Sequence, residues 1–260
     1  MAITRKTAFA RRGRRNYSAP SVFSFFSKPR QLSTPLVADM HSHLLPGIDD
    51  GVKTPEEAFE VIDQLQELGY RKLITTPHIM TDYFGNTAES VRAAYQAFQP
   101  RLAAHRPSLQ FEFAAEYYLD DTVIALAAER KPLLTFGDKY LLFETNMISE
   151  PLQLKEFIFS VTLQGYKPVL AHPERYQYMT LEKAEDLRNR GVRLQLNLLS
   201  LIGHYGPPVQ RLAEKLVGRG WVDMLGTDCH NLEHTRLLRA VVRTTAYRKA
   251  LDLPLINHTL

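Results

Sequence analysis

A single cysteine, Cys229, among 260 residues excludes any internal disulfide framework and any all-cysteine zinc site, and it suits a reducing, cytoplasmic compartment. No apolar run approaches the ~20 residues that a membrane-spanning helix requires. The first 20 residues lack the continuous apolar segment of a secretory signal. There is no internal repeat, no low-complexity core and no inter-domain linker. Acidic residues are absent from residues 1–30, which hold eight of the 32 basic ones, so residues 31–260 carry 24 basic against 28 acidic residues, a net charge of −4. A nucleic-acid partner is not expected of such a body, since binding would need a basic patch on the folded domain.

What is present divides the chain in two. Residues 1–35 are Arg- and Ser-rich, the composition of a disordered basic extension or an organellar presequence, and Val22–Phe26 adds a short apolar stretch able to touch a membrane surface. Residues 36–260 form the expected catalytic domain. There, apolar runs predict strands at 36–40, 72–76, 109–115, 140–145, 168–171, 192–197 and 222–227. Helical patterns fall between them at 55–69, 87–104, 120–130, 152–165, 181–190, 207–219 and 234–251. Thr54-Pro55-Glu56-Glu57 is a capped helix start, and Gly69, Gly165, Gly191 and Gly220 mark helix ends. Seven strand-then-helix units predict an α/β fold of parallel strands. A doubly wound sheet and a barrel both fit that alternation. Because polar residues recur where strands end, a distorted seven-stranded (β/α)7 TIM-like barrel is favoured, with its site at the C-terminal mouth.

Asp39-Met40-His41-Ser42-His43 closes the first strand with two imidazoles two residues apart, which a strand directs to one side. Further candidates follow in order: Asp49 and Asp50 in Pro46-Gly47-Ile48-Asp49-Asp50-Gly51, His78, Glu116, Glu144, His172, and Asp228 with His230. Each alone reads equally as a cap, a core histidine or a paired acid. Converging at one mouth, they would be costly to desolvate without cations. Nitrogen and oxygen donors without thiolate favour Mn²⁺, Fe or Zn²⁺, and nine donors exceed the needs of one ion, implying two or three. Such sites suit phosphate-ester hydrolysis, for which Arg175 supplies a bidentate donor.

The series His-x-His-x-x-Pro-Gly-x-Asp-Asp-Gly, Thr-Pro-His, Ala-Glu, Phe-Glu, Ala-His-Pro-Glu-Arg-Tyr and Asp-x-His resembles the polymerase-and-histidinol-phosphatase (PHP) superfamily. Within it, His43–Gly51 and His172–Tyr176 resemble the bacterial protein-tyrosine phosphatases of capsule and exopolysaccharide biosynthesis, over residues 36–240. The resemblance implies a three-ion site. His41, His43, Glu116 and Asp228 would hold one ion; Glu116, Glu144 and His172 a second; Asp50, His78 and His230 a third. It assigns phosphate binding to Arg175 and Arg236, and a metal-held hydroxide would attack phosphorus in line with the leaving tyrosyl oxygen. Asp49, or a metal-bound water, would supply a proton. The implied substrate is a phosphotyrosine protein, such as the tail of a bacterial tyrosine kinase. Asp39 is expected to orient an imidazole from behind.

Other readings are weaker. Thr235, not arginine, stands six residues after Cys229, so a cysteine-nucleophile phosphatase lacks its phosphate loop. Amidohydrolase barrels use a carboxylated lysine where Glu144 stands. A histidinol-phosphate phosphatase would share the metal ligands and differ in the substrate loops, and a non-catalytic metal-binding module would share the ligands as well. His105, His204, His234 and His258 read as surface or packing residues. Tyr83, Phe84, Tyr117 and Tyr118 flank ligand-bearing segments and are candidates for a phenol pocket.

Overall fold

The computed structural model describes residues 1–2 and 36–260, so the expectation for the basic extension lies outside the described residues. Nine parallel strands are present: β1 (Ala38–Asp39), β2 (Lys72–Thr75), β3 (His78–Ile79), β4 (Gln110–Phe113), β5 (Glu116–Tyr118), β6 (Tyr140–Glu144), β7 (Lys167–Ala171), β8 (Arg193–Asn197) and β9 (Met224–Gly226). They pair as β1-β2-β4 and as β3-β5-β6-β7-β8-β9. Eight helices alternate with them: α1 (Pro55–Leu68), α2 (Ala88–His105), α3 (Asp121–Ala128), α4 (Leu154–Leu163), α5 (Leu181–Asn189), α6 (Pro207–Gly218), α7 (Leu232–Val241) and α8 (Thr245–Leu251).

Nine strands make seven staves. β2 and β3 are one expected strand, interrupted at Thr76-Pro77 because proline offers no N–H to the ladder. β4 and β5 are likewise two halves of one stave, and Ala114 N–H to Thr75 O (2.9 Å) with Glu116 N–H to Pro77 O (3.1 Å) carries the pairing across both gaps. The ring then returns on itself. Ser42 bridges Cys229 in parallel, Asp228 N–H donates to His41 O (2.8 Å) and His43 N–H to Cys229 O (2.9 Å).

Below that seam β1 and β9 are joined by side chains. Asp39 accepts from Thr227 N (2.9 Å) and Thr227 Oγ1 (2.6 Å). Asn257, in a 3-10 turn at the C-terminus, accepts from Leu225 N and donates to Leu225 O and Ala38 O. Asp39 therefore stitches the barrel seam and contacts no imidazole side chain among its hydrogen-bond partners, contrary to its expected role.

Strand alternation sorts the side chains into two cores. Leu141 and Phe143 of β6 join the large apolar layer under the helices, whereas Tyr140 and Leu142 face a small interior cluster with Met40, Ile74, Ala114, Val169 and Met224. Glu144, two residues beyond Leu142, is thus the next inward position, above the apolar plug. The same step from packing to ligand is what places the site at the C-terminal mouth. One helix expected at 234–251 is two, divided before Thr244, whose side chain caps α8 at Tyr247 N (3.1 Å).

Candidate metal centre

Glu116 is the hub of the mouth. One carboxylate oxygen lies 3.2 Å from His41 Nε2, 3.4 Å from His43 Nε2 and 3.3 Å from His78 Nδ1; the other lies 3.1 Å from His172 Nε2. Glu144 reaches His78 Nδ1 (3.1 Å) and His172 Nε2 (3.8 Å). Asp228 Oδ1 stands 3.4 Å from His41, His43 and His230. Asp50, half exposed at the rim, lies 3.5 Å from His78 and 3.4 Å from His230. All nine expected ligands therefore meet in one place. Their ligand atoms form four overlapping sets: His43, Asp50, His78 and His230; His41, His43 and Glu116; His41, His172 and Asp228; His78, Glu116 and Glu144. In this partition His78 keeps its place with Asp50 and His230 and also joins Glu116 and Glu144, while His172, still 3.1 Å from Glu116, joins His41 and Asp228.

Backbone geometry serves the cluster. His172 (φ 31°) and Asp228 (φ 49°) occupy the left-handed region, where side chains other than glycine are strained, and both are ligand candidates. Gly51 closes the Asp49–Asp50 turn so tightly that a Cβ there would lie 2.2 Å from His43 O. Gly226 likewise leaves room for the Gln195 amide and the His41 Cβ.

The surrounding groups favour bound cations. Burial opposes ionisation of Glu116 and Asp228, yet the adjoining imidazoles, His41 foremost, hold both well below the ordinary carboxylate range. Burial likewise disfavours charge on His41, but Glu116 and Asp228 raise its pKa to about 9. His41 Nε2 and His43 Nε2 face one another at 3.3 Å, and His78 Nδ1 approaches two carboxylates without a hydrogen bond to either. Buried imidazole and carboxylate donors so arranged fit divalent ions that accept nitrogen and oxygen ligands.

A surrounding layer of polar side chains sets the ligands. His43 Nδ1 is held by Asp49 Oδ2 (2.8 Å), whose carboxylate also accepts from Gly51 N and His78 N. Burial would raise the Asp49 pKa, but His43 outweighs it and holds the acid well below its ordinary value. Asp49 was expected as a proton donor; its carboxylate is engaged by His43 Nδ1, Gly51 N and His78 N, an arrangement that suits positioning His43. His41 Nδ1 donates to Gln195 Oε1 (2.9 Å), which also accepts from His172 N (3.2 Å).

Asp228 Oδ2 accepts from Asn197 Nδ2 (2.7 Å) and Arg175 Nη1 (3.0 Å), and Arg175 lies over the Tyr205 ring at 4.4 Å. Glu174 accepts from Asn197 N and Ser200 Oγ, fixing that loop. His234, expected to be a bystander, accepts from His230 N (3.3 Å). Gln195, Asn197 and Tyr205 escape motif reading, and Glu174 stands in a motif without an assigned role; the available signal was two polar residues in the otherwise apolar run Leu194-Gln195-Leu196-Asn197.

Arg236 is not brought to the cluster. It lies on α7, 72% exposed at its side chain, paired with Glu233 (3.1 Å). Cys229 is buried, its thiol pushed up by desolvation, the opposite of an activated nucleophile. Phe84 stacks on His78 (5.3 Å, 9° between planes) with Tyr83 exposed beside it, whereas Tyr117 is core and accepts from Leu134 N. No helix among the described residues is long and apolar enough to cross a membrane.

Comparison with known proteins agrees with this geometry. The model of the family described as capsular polysaccharide synthesis, CpsB/CapC, matches residues 37–247. A Staphylococcus aureus protein named putative tyrosine-protein phosphatase CapC is 25% identical over 198 residues, 75% of this chain and 78% of that protein. Tyrosine-protein phosphatase YwqE of Bacillus subtilis is 27% identical over 197 residues, with the same coverage of 75% and 78%. A chain from the crystal structures of YwqE and of CpsB from Streptococcus pneumoniae, described as unique metal-dependent tyrosine phosphatases, superposes with a TM-score of 0.74. It is 26% identical, covering 86% of this chain and 93% of that one.

Proposed function

The chain belongs to the capsular polysaccharide synthesis CpsB/CapC family, and from that premise we propose that it is a metal-dependent protein-tyrosine phosphatase. Its substrate would be a phosphotyrosine of a kinase that governs capsule or exopolysaccharide assembly, met in the cytoplasm, where a lone buried thiol is stable. The observation that carries the reading is Glu116, encircled by four imidazoles, with Arg175 seated on the far oxygen of Asp228.

His41, His43, Glu116, Asp228, Glu144, His172, Asp50, His78 and His230 would hold two or three divalent ions, with Mn²⁺ the best match to mixed nitrogen and carboxylate donors. Bound ions supply water activation and neutralisation of phosphoryl charge. The remaining chemistry is done by side chains. Arg175, a quarter exposed, presents guanidinium N–H groups to the phosphoryl oxygens, and Asp228 and Tyr205 hold it in place. Asp49 and Gln195 keep the Nδ1 atoms of His43 and His41 engaged, leaving Nε2 for ligation. Phe84 and Tyr83 offer an aromatic wall to the tyrosyl ring. A phenolate, with an ordinary pKa of about 10, leaves without an obligatory side-chain acid.

The test is phosphate release by the Mn²⁺-loaded protein from a phosphotyrosine peptide, histidinol phosphate and a phosphodiester. Turnover of the peptide, abolished by chelation and restored by Mn²⁺, is expected. Robust turnover of histidinol phosphate with none of the peptide would transfer the protein to the small-molecule branch.

A further inference from the structure

A second concavity opens beside Arg175. It is a groove of about 430 Å³ between the start of α5 and the length of α6 from Pro208 to Lys215, walled by Leu181 and Leu212 and bordered by Glu182, Arg211 and Lys215. Both helices begin just beyond strands whose ends build the metal centre, β7 and β8, so the groove lies on the mouth side of the barrel. Arg175 lines it while its guanidinium reaches Asp228, so the groove and the centre share a wall. Arg211 and Lys215 are exposed and form no salt bridge among the described residues. These two cations, unpaired in any salt bridge among the described residues and set beside Arg175, face Glu182 and the buried Glu174 on a body whose net charge is −4. The apolar wall suits the stem of a peptide side chain, and the cations suit an anionic end.

We propose that this groove binds the substrate segment flanking the phosphotyrosine and selects an anionic side chain there through Arg211 and Lys215. The proposal rests on the phosphatase reading and adds to it a peptide subsite with a stated charge preference. The anion is a carboxylate or a second phosphate, and both would be drawn by the same pair of cations.

The experiment compares kcat/KM of the Mn²⁺-loaded protein on four phosphotyrosine peptides that carry aspartate, a second phosphotyrosine, alanine or lysine at flanking positions. Two partly exposed charge contacts should favour an anionic peptide over the alanine peptide about three- to tenfold, chiefly through KM, and less at high salt. The ratio of the first two peptides tells carboxylate from phosphate. In Arg211→Glu/Lys215→Glu the order should invert, with the lysine peptide best; in Arg211→Gln/Lys215→Gln the preference should vanish. An unchanged preference in both variants, or none in the wild type, overturns the subsite while leaving the phosphatase reading intact. Failure of the wild type on every peptide overturns both.

Discussion

Two imidazoles at the heart of the cluster are governed from behind, His43 by Asp49 and His41 by Gln195. Asp49→Asn removes the anion that fixes His43 and should weaken metal binding about 10- to 100-fold, measured by metal content against free Mn²⁺. Arg175→Ala should behave in the opposite manner, keeping bound metal while kcat falls by about two orders of magnitude, as when an electrostatic donor is lost. If that variant loses metal instead, Arg175 has been given the wrong role.

A third acid answers to pH. Burial raises the Asp39 carboxyl to about 6, against hydrogen bonds from Thr227 that partly oppose it. Since the folded-state pKa lies above the unfolded one, the neutral acid is tolerated and the ion penalised. The contribution of Asp39 to the stability of the metal-free protein should therefore decline as pH rises from about 4 to 6, by up to about 3 kcal/mol. Asp39→Asn should flatten that slope in denaturant titrations across this range.

Legibility of these residues followed their mode of attachment. Ligands that terminate apolar strands announce themselves in sequence, whereas Gln195 and Asn197 on β8 meet His41 and Asp228 only through side-chain contacts that the fold creates. Asp49 looked like a proton donor because its neighbour in the fold, the Nδ1 of His43, has no trace in local spacing.

At the scale of elements, a glycine and a cap carry testable weight. A Cβ on Gly51 would strike the His43 carbonyl at 2.2 Å, with backbone that cannot step aside. Gly51→Ala should displace the Asp49–Asp50 turn and lower metal content and activity together, even where circular dichroism still reports a folded barrel. Thr244→Ala removes the cap of α8 and should cost about 1 kcal/mol with little effect on kcat, since the helix carries none of the candidate ligands.

Strand and helix positions were readable from the apolar pattern because most barrel strands are buried on both faces, β4 with its exposed Gln110 and Glu112 excepted, while the breaks were not. Pro77 splits one stave, and the division before Thr244 splits one helix, through local hydrogen bonding that an apolar pattern does not record. Arg236 shows the same limit. With Asn231 capping α7, the helix buries Thr235, Leu238 and Val241 and turns Arg236 to solvent beside Glu233.

Across the whole molecule the decisive feature is closure. Seven staves could be counted in the sequence, but nothing in it tells that the ring is sewn by Asp39 and Asn257 below the Ser42–Cys229 bridge. Asn257→Ala would leave the buried Leu225 N–H, Leu225 O and Ala38 O without these partners. It should cost about 2–4 kcal/mol, more than the loss of the α8 cap, by equilibrium unfolding.

That seam also sets an order of events during biosynthesis. Ala38 is made 219 residues before Asn257, so the stitch that joins first strand to last awaits synthesis of every strand between them. His41 and His43 emerge long before Asp228 and His230, their partners across the same seam. A nascent chain that has not reached Asp228 therefore carries part of a metal centre with no closed barrel to hold it, and the full ligand set assembles only once the last strand has been made.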